Sequence, residues 1–328
     1  MAPTTRVPLT QISSRSWEHP ADKAALQALR ALPGFDEILR RVMGALGERG
    51  IRQLFLANSV KVSPTQRPKL NALYAEVLET LDAPERYDLY VSQTPVANAF
   101  AIGFQRPFIV INSGMLELLD DDERRSVLAH EVGHIMSGHN VYTTLAMLFI
   151  FIGSANLPFF AGIVLLPFEL AILEWYRKAE FSADRAALLG TQDPDGTMRV
   201  FLKLAGGAEL DDPIDLQAFL AQANEYEYDT GPYDKMWQVL NTIFRSHPFA
   251  TVRAAELQRW IRGGDYDRIL RGEYARRSDA SEPIQEDVED AVEYYGARAR
   301  RAADTVNDAA RRAKDAFSSA FSKRDGTT

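Results

Sequence analysis

The sequence contains no cysteine, which excludes disulfide bonds and cysteine-ligated zinc knuckles and is typical of a reducing compartment. Residues 1–20 contain no long apolar run, so we predict neither a signal peptide nor an N-terminal membrane anchor. Basic residues are in the minority, with 37 Lys and Arg against 45 Asp and Glu. The resulting net charge of −8 argues against nucleic acid as a partner. We therefore expect a cytoplasmic protein.

The chain has 328 residues, of which 46% are hydrophobic, enough for a buried core in one main domain with appendages. Helical spacing of apolar residues predicts an N-terminal helical region over residues 1–60. The main domain is predicted at residues 61–278. A polar helical tail, acidic first and then basic, is predicted at residues 279–328.

Three short strand patterns follow one another in the predicted main domain, at residues 87–91, 97–102 and 107–111. Together they predict a small, mainly antiparallel sheet in a largely helical α+β domain. Residues 98–101 have two interpretations. They form either an ordinary edge strand or an edge to which an extended peptide adds itself by backbone hydrogen bonds.

The motif His-Glu-Val-Gly-His at residues 130–134 organises the rest of the sequence. Residues four apart share one face of a helix, so His130 and His134 can bind a single metal ion. Glu131 lies beside that ion, where it can take a proton from a water molecule. Zinc, one ion per chain, is the expected metal because it accepts imidazole and leaves a coordination position open. Taken alone, the motif also fits a surface helix that happens to carry two histidines.

His139 lies close behind this motif, but the metzincin spacing of a third histidine ligand is not met. We therefore expect His139 to be an ordinary polar residue, or one that contacts a metal ligand.

An apolar stretch follows, in which residues 141–168 include no charged side chain. Two membrane crossings need about 20 apolar residues each, which is more than this stretch provides. One crossing is excluded if a third metal ligand lies beyond it, because both ends must then lie on the same side. We predict a hairpin of two helices over residues 141–173, either buried in the protein or dipping into a membrane surface. The basic part of the tail fits peripheral contact with an anionic membrane.

The charged helical segment after this stretch offers the third metal ligand. Glu180 and Asp184 lie one turn apart, and one such carboxylate completes a set of two histidines and one acid. Asp184 can accept a hydrogen bond from a ligating imidazole. On spacing alone Glu174 competes with Glu180. Glu180 and Asp184 could equally be solvated and paired with Lys178 and Arg185 on the surface.

Four features follow one another in the sequence: Asn98-Ala99-Phe100-Ala101, the motif at 130–134, Glu180 with Asp184, and Ser246-His247-Pro248 with Arg253. In this order they resemble a zinc metallopeptidase family that includes HtpX-like heat-shock proteases and the CAAX prenyl proteases. The resemblance covers about residues 87–257. It does not extend to the N-terminal spanning helices of the membrane-embedded members, so their substrates are not carried over.

The resemblance implies a zincin-like domain, a sheet beside the motif helix and a zinc endopeptidase of the gluzincin type. It makes Glu180 the third zinc ligand, Glu131 the general base and Asp184 the residue that orients a ligand. It also makes the strand Asn98 to Ala101 the substrate-binding edge. His247 is implied to bind the oxyanion, with Arg253 nearby, although Ser-His-Pro is also an ordinary helix start.

The predicted function is hydrolysis of peptide bonds in an unfolded or extended polypeptide, with Glu131 as general base. Two alternatives stay open. One is a metal-stabilised, chaperone-like module that holds unfolded segments without cutting them. The intact Glu131 argues against it, because a structural metal site does not need that carboxylate. The other is a latent protease whose tail or N-terminal helices cover the cleft until a partner or a membrane removes them, which predicts higher activity after truncation.

Overall fold

The computed structural model describes residues 6–31, 50, 52–53, 55–144, 159–208, 214–228 and 248–279. The helices are α1 (Pro20–Arg30), α2 (Pro68–Thr80), α3 (Ser113–Leu118), α4 (Asp121–Met136), α5 (Phe159–Thr191), α6 (Pro194–Gly206), α7 (Leu216–Tyr228), α8 (Ala250–Arg262) and α9 (Asp265–Leu270). The strands are β1 (Ser59–Lys61), β2 (Asp88–Ser92), β3 (Ala99–Ile102) and β4 (Phe108–Asn112). The predicted class, a mainly helical α+β fold with a small sheet, is confirmed.

Among the described residues the sheet has four strands in the order β1-β2-β4-β3. The two outer pairings are antiparallel, as expected, whereas β2 and β4 pair in parallel at the centre. The central pair is parallel because β3 folds onto the outer side of β4 and leaves β4 beside β2. Every residue of β4 is buried, which is typical of a central strand. The three-residue strand β1 was not predicted, because it lies at the end of the helical pattern of residues 1–60.

Helix α4, which carries the histidine motif, begins with a capping box. The Asp120 side chain accepts a hydrogen bond from the Glu123 backbone N–H at 3.0 Å, and Glu123 accepts one from the Asp120 N–H at 2.9 Å. The buried Glu123 carboxylate also receives a hydrogen bond from Lys203 of α6, at 2.7 Å. Just past the helix, Gly138 adopts a φ of 72°, which an L side chain rarely adopts, and the chain turns there.

Helix α4 packs closely against α5 because small residues line their contact. A Cβ atom built on Gly133 would lie 2.4 Å from the Ala186 Cβ, and one on Gly190 would lie 2.5 Å from the Ala129 Cβ. Both distances are far below ordinary carbon contacts of about 3.5–4.0 Å. The two helices therefore approach at a distance that only glycine permits at these positions, which brings their polar faces together.

The predicted apolar hairpin at residues 141–173 is only partly described. Residues 139–144 are helical, residues 145–158 lie outside the described residues, and α5 is one continuous helix of 33 residues. The second half of the predicted hairpin therefore continues without a break into the charged segment that carries Glu180. In the described part of the chain, no helix is both long and apolar enough to cross a membrane. The choice between a buried and a membrane-dipping hairpin stays a prediction.

The segment before α1 is part of the main hydrophobic core. Leu9, Ile12 and Trp17 are buried there together with residues of α2, β2 and α4. Ile12 also forms an isolated antiparallel bridge with Arg276, close to the last described residue. The predicted boundaries after residues 60 and 278 stay predictions, and the tail beyond residue 279 lies outside the described residues.

Candidate metal site and cleft

Three side chains from α4 and α5 converge on one point. The Nε2 atoms of His130 and His134 lie 3.1 Å apart. Glu180 places Oε1 at 3.3 Å from the His134 Nε2 and Oε2 at 3.5 Å from the His130 Nε2. One ligand atom from each residue lies within 4.8 Å of the other two. Two imidazole nitrogens and one carboxylate oxygen form a donor set that fits a divalent metal such as zinc.

Burial supports the same interpretation. The side chain of Glu180 is 1% exposed and that of His134 is 6% exposed. A carboxylate that is removed from water in this way needs charged or hydrogen-bonding partners. Arg253 supplies one of them, with Nη1 at 3.1 Å from Glu180 Oε2, and a cation between the three groups would supply another. Glu174, the competing acid, is 48% exposed and pairs with Arg177 and Lys178 of the same helix. The structure therefore brings Glu180, and not Glu174, to the two histidines.

The second ring nitrogen of His130 is held by Asp184. The distance from His130 Nδ1 to Asp184 Oδ1 is 3.1 Å. Arg253 of α8 donates from Nε to Asp184 Oδ2 at 2.9 Å and places Nη1 at 3.1 Å from Glu180 Oε2. Burial raises the pKa of Asp184, but the adjacent Arg253 outweighs that effect and holds the pKa below its usual value. Asp184 is therefore an ionised acceptor beside the His130 ring, and its implied role of orienting that ring stays a prediction.

The second ring nitrogen of His134 contacts His139 instead of a carboxylate. The two Nδ1 atoms lie 2.9 Å apart, and the His139 Nε2 lies 2.9 Å from Oδ2 of Asp22 on α1. The sequence does not predict that Asp22 contacts the site. An acid in the first turn of a helix is already explained by its favourable interaction with the helix dipole. No local sequence pattern connects α1 to the histidine motif.

A cleft of about 860 Å³ opens over these residues. Glu131, only 4% exposed, lines it beside the three candidate ligands. Tyr176, which was not predicted, also lines it, with its ring stacked parallel to that of His134 at 6.4 Å between centroids. Burial raises the pKa of Tyr176 well above its usual value, so its phenol stays protonated and can donate a hydrogen bond.

The edge strand β3 begins beside this cleft. Asn98 and Ala99 line the cleft. Ala101 is buried in the core, and the Phe100 ring lies 5.7 Å from that of Phe55, so neither side chain is among those lining the cleft. In the described part of the chain β3 pairs only with β4, which leaves its other side as a sheet edge.

His247, the predicted oxyanion residue, lies outside the described residues, so that role stays a prediction. The two residues that follow it, Pro248 and Phe249, line the cleft together with Thr251.

Comparisons with known proteins identify a family and relatives of this chain. The model of peptidase family M48 matches residues 64–261, more than half of the chain. Plastoglobule-localized metallopeptidase 48, chloroplastic, from Arabidopsis thaliana is 37% identical over 266 residues, which cover 79% of this chain and 76% of that protein. A protease HtpX homolog from Helicobacter acinonychis is 24% identical over 229 residues, covering 62% of this chain and 71% of the homolog. No solved structure matches the chain.

Proposed function

The chain belongs to peptidase family M48, and we propose that it is a zinc-dependent endopeptidase in which His130, His134 and Glu180 hold the ion. Family membership makes the protein a metalloendopeptidase that acts on polypeptides. The observation that best supports the ligand assignment is the convergence of the three donor atoms within 4.8 Å of one another. They lie between two helices that pack so closely that only glycine fits at positions 133 and 190.

Glu131 is the proposed general base. When bound, zinc supplies Lewis-acid chemistry that polarises the scissile carbonyl and lowers the pKa of a water molecule. The Glu131 carboxylate lines the same cleft as the candidate ligands. It accepts a proton from the attacking water and delivers it to the leaving nitrogen. A site built only to stabilise the fold has no use for this carboxylate, which argues against the chaperone-like alternative.

The edge of β3 is the proposed substrate-binding strand. An extended polypeptide that pairs with this edge through backbone hydrogen bonds lies along the cleft beside Glu131. Asn98 and Ala99 border the cleft, whereas Phe100 and Ala101 contribute through their backbone, because their side chains pack elsewhere. Arg253 acts indirectly in this proposal, since its guanidinium contacts Glu180 and Asp184.

The location of the protein is a separate proposal. The name of the Arabidopsis relative assigns that protein to chloroplast plastoglobules. For this chain we propose peripheral attachment to a membrane or lipid surface through residues 141–173 and the basic tail, in the cytoplasm or another reducing compartment. The apolar stretch of residues 141–168 supports this proposal, since it contains no charged side chain.

The experiment that tests the proposal compares Glu131→Gln, Glu180→Ala and Glu174→Ala with the unchanged chain. Cleavage of an unfolded casein-like protein and the zinc content of each preparation are measured. Glu131→Gln should keep one zinc and lose about 10²–10⁴-fold in cleavage rate, the usual contribution of a general base. Glu180→Ala should lose most of its zinc.

Glu174→Ala is the matched control, because it removes an exposed acid from the same helix and should keep both zinc and cleavage. Cleavage by Glu131→Gln at the unchanged rate would contradict the role of the base. Zinc lost in Glu174→Ala and kept in Glu180→Ala would contradict the ligand assignment. If the unchanged chain binds zinc without cleaving, removal of residues 280–328 tests the latent protease, which should then become active.

A further inference from the structure

A buried chain of polar groups connects the candidate ligand His134 to the N-terminal helix α1. His134 Nδ1 lies 2.9 Å from His139 Nδ1, and His139 Nε2 lies 2.9 Å from Asp22 Oδ2. The Ser182 hydroxyl donates to the same Asp22 oxygen at 2.6 Å and accepts from the His19 backbone N–H at 2.8 Å. Every one of these residues is 5% exposed or less. The chain is therefore a fixed, dry element of the structure.

The geometry defines where each proton in this chain must be when His134 binds a metal. The Nε2 of His134 faces His130 and Glu180, so it is the ligand atom and cannot carry a proton. The proton of the neutral His134 ring is then on Nδ1. His139 must accept that proton with an unprotonated Nδ1, which leaves its own proton on Nε2, aimed at Asp22.

From this geometry we propose that Asp22 and His139 are positioning residues of the metal site. Asp22 holds His139 in the tautomer that is protonated on Nε2, and His139 in turn holds His134 in the tautomer that can bind metal. The inference rests on the proposed function, because it takes His134 as a ligand. Neither residue touches the metal or the substrate.

The proposal makes α1 part of the metal site. Asp22 precedes residues 64–261, the part of the chain that the family model matches. The orientation of the Asp22 carboxylate, which accepts the hydrogen bond from His139, is fixed by Ser182 of α5, because the Ser182 hydroxyl donates to the same oxygen. Partners of this kind, which orient a ligating histidine, typically contribute about 10- to 100-fold to metal affinity.

A purely structural role is the competing explanation, since the same contacts join α1 to α5. Zinc affinity distinguishes the two. The dissociation constant of the full-length chain is measured by competition with a chelator for Asp22→Asn and for Glu256→Gln. Glu256 is the matched control, because it is a buried acid that also contacts the α1 region, with Oε2 at 3.5 Å from His19 Nε2.

Asp22→Asn should weaken zinc binding by about 10- to 100-fold, because the amide can present its NH₂ group to His139 and favour the wrong tautomer. Glu256→Gln should bind zinc as the unchanged chain does, even if it unfolds at a lower urea concentration. Equal zinc affinities of Asp22→Asn and the unchanged chain would overturn the proposal.

The variant His139→Asn provides a rescue test. The side-chain oxygen of asparagine can occupy the position of Nδ1 and accept the His134 proton without any tautomer that Asp22 must set. His139→Asn should therefore keep zinc affinity close to that of the unchanged chain. In its background Asp22→Asn should cause no further loss, whereas independent structural effects would add. A full additional loss in the double variant would contradict the proposal.

The tautomer itself can be observed in the unchanged chain, which covers the case in which the Asp22 variant does not fold. With ¹⁵N-labelled histidine in the zinc-loaded protein, the ring-nitrogen shifts should show His139 protonated on Nε2 and not on Nδ1. The opposite pattern overturns the positioning role. The ligand assignment fails separately, if His134→Ala binds zinc as tightly as the unchanged chain.

Discussion

Gly133→Ala perturbs the site by separating the two helices that carry it. The new Cβ would lie 2.4 Å from the Ala186 Cβ, which is more than 1 Å inside the ordinary contact distance of about 3.5–4.0 Å. Overpacking of this kind costs about 1–3 kcal/mol. The higher helix propensity of alanine stabilises the helix by about 1 kcal/mol and so offsets part of this cost. We expect the free energy of unfolding of the metal-free protein to fall by up to about 2 kcal/mol, the difference of these two terms.

The same displacement should weaken zinc binding, because Gly133 adjoins His134 while Ala186 lies on the helix of Glu180. Urea unfolding of the metal-free chain and competition with a chelator measure the two effects. Gly206→Ala is the control for helix propensity alone, since a Cβ at that position of α6 meets no atom within 4 Å. It should leave zinc affinity unchanged.

The double variant Gly133→Ala with Ala186→Gly tests the cause. It moves one methyl group from α5 to α4, so the helix propensities nearly cancel and the original spacing returns. Zinc affinity should recover to within a few-fold of that of the unchanged chain. If Gly133→Ala binds zinc normally, or if Ala186→Gly does not rescue it, then the close approach of α4 and α5 does not set the distance between the ligands.

Two further predictions concern buried titratable groups that are not candidate metal ligands. Burial lowers the pKa of His19 to about 4 from its usual 6.5. Between pH 6.5 and pH 4 the unfolded chain therefore binds a proton at His19 that the folded chain does not bind. Acidification to pH 4 should lower the free energy of unfolding by up to about 3 kcal/mol. His19→Gln should remove that part of the pH dependence in urea unfolding, and identical pH profiles would contradict this. Lys203→Met deprives the fully buried Glu123 of its 2.7 Å partner but leaves Arg199 at 3.6 Å. The substitution should therefore lower the free energy of unfolding, but by less than a fully unpaired buried charge does, which is about 3–5 kcal/mol. An unchanged free energy of unfolding would refute the pairing.

The motif helix could be predicted from the sequence because its signals are local. The four-residue spacing of His130 and His134 fixes their common face, and the acidic start at Asp120 and Glu123 forms the capping box that such a pattern favours. The sequence specifies the third candidate ligand less clearly than the two histidines. Glu174 and Glu180 differ by less than two helical turns, and only the packing of α5 on α4 decides which one faces the histidines. The family resemblance, and not the spacing, had favoured Glu180.

Asp184 and His139 could be expected beside the ligands, but the contact of α1 with them could not be predicted, because it joins segments far apart in the chain. Asp22 reaches His139 only because α1 packs beside α5, and nothing in the composition of α1 marks that acid. The parallel pairing of β2 with β4 likewise depends on β3 folding to the outside, which alternation along a strand does not encode.

The glycine in the motif connects a local sequence signal with long-range packing. In the sequence, Gly133 occupies one of the two unspecified positions between the histidines, where helix propensity alone disfavours it by about 1 kcal/mol relative to alanine. The structure supplies the reason for it, since the Ala186 Cβ occupies the space that a side chain would need. A local cost in α4 is therefore offset by a long-range gain, the approach of Glu180 to the histidines. In this chain the histidine pair meets its third candidate ligand between two helices that lie this close, and the small residues Gly133, Ala186, Gly190 and Ala129 permit that approach.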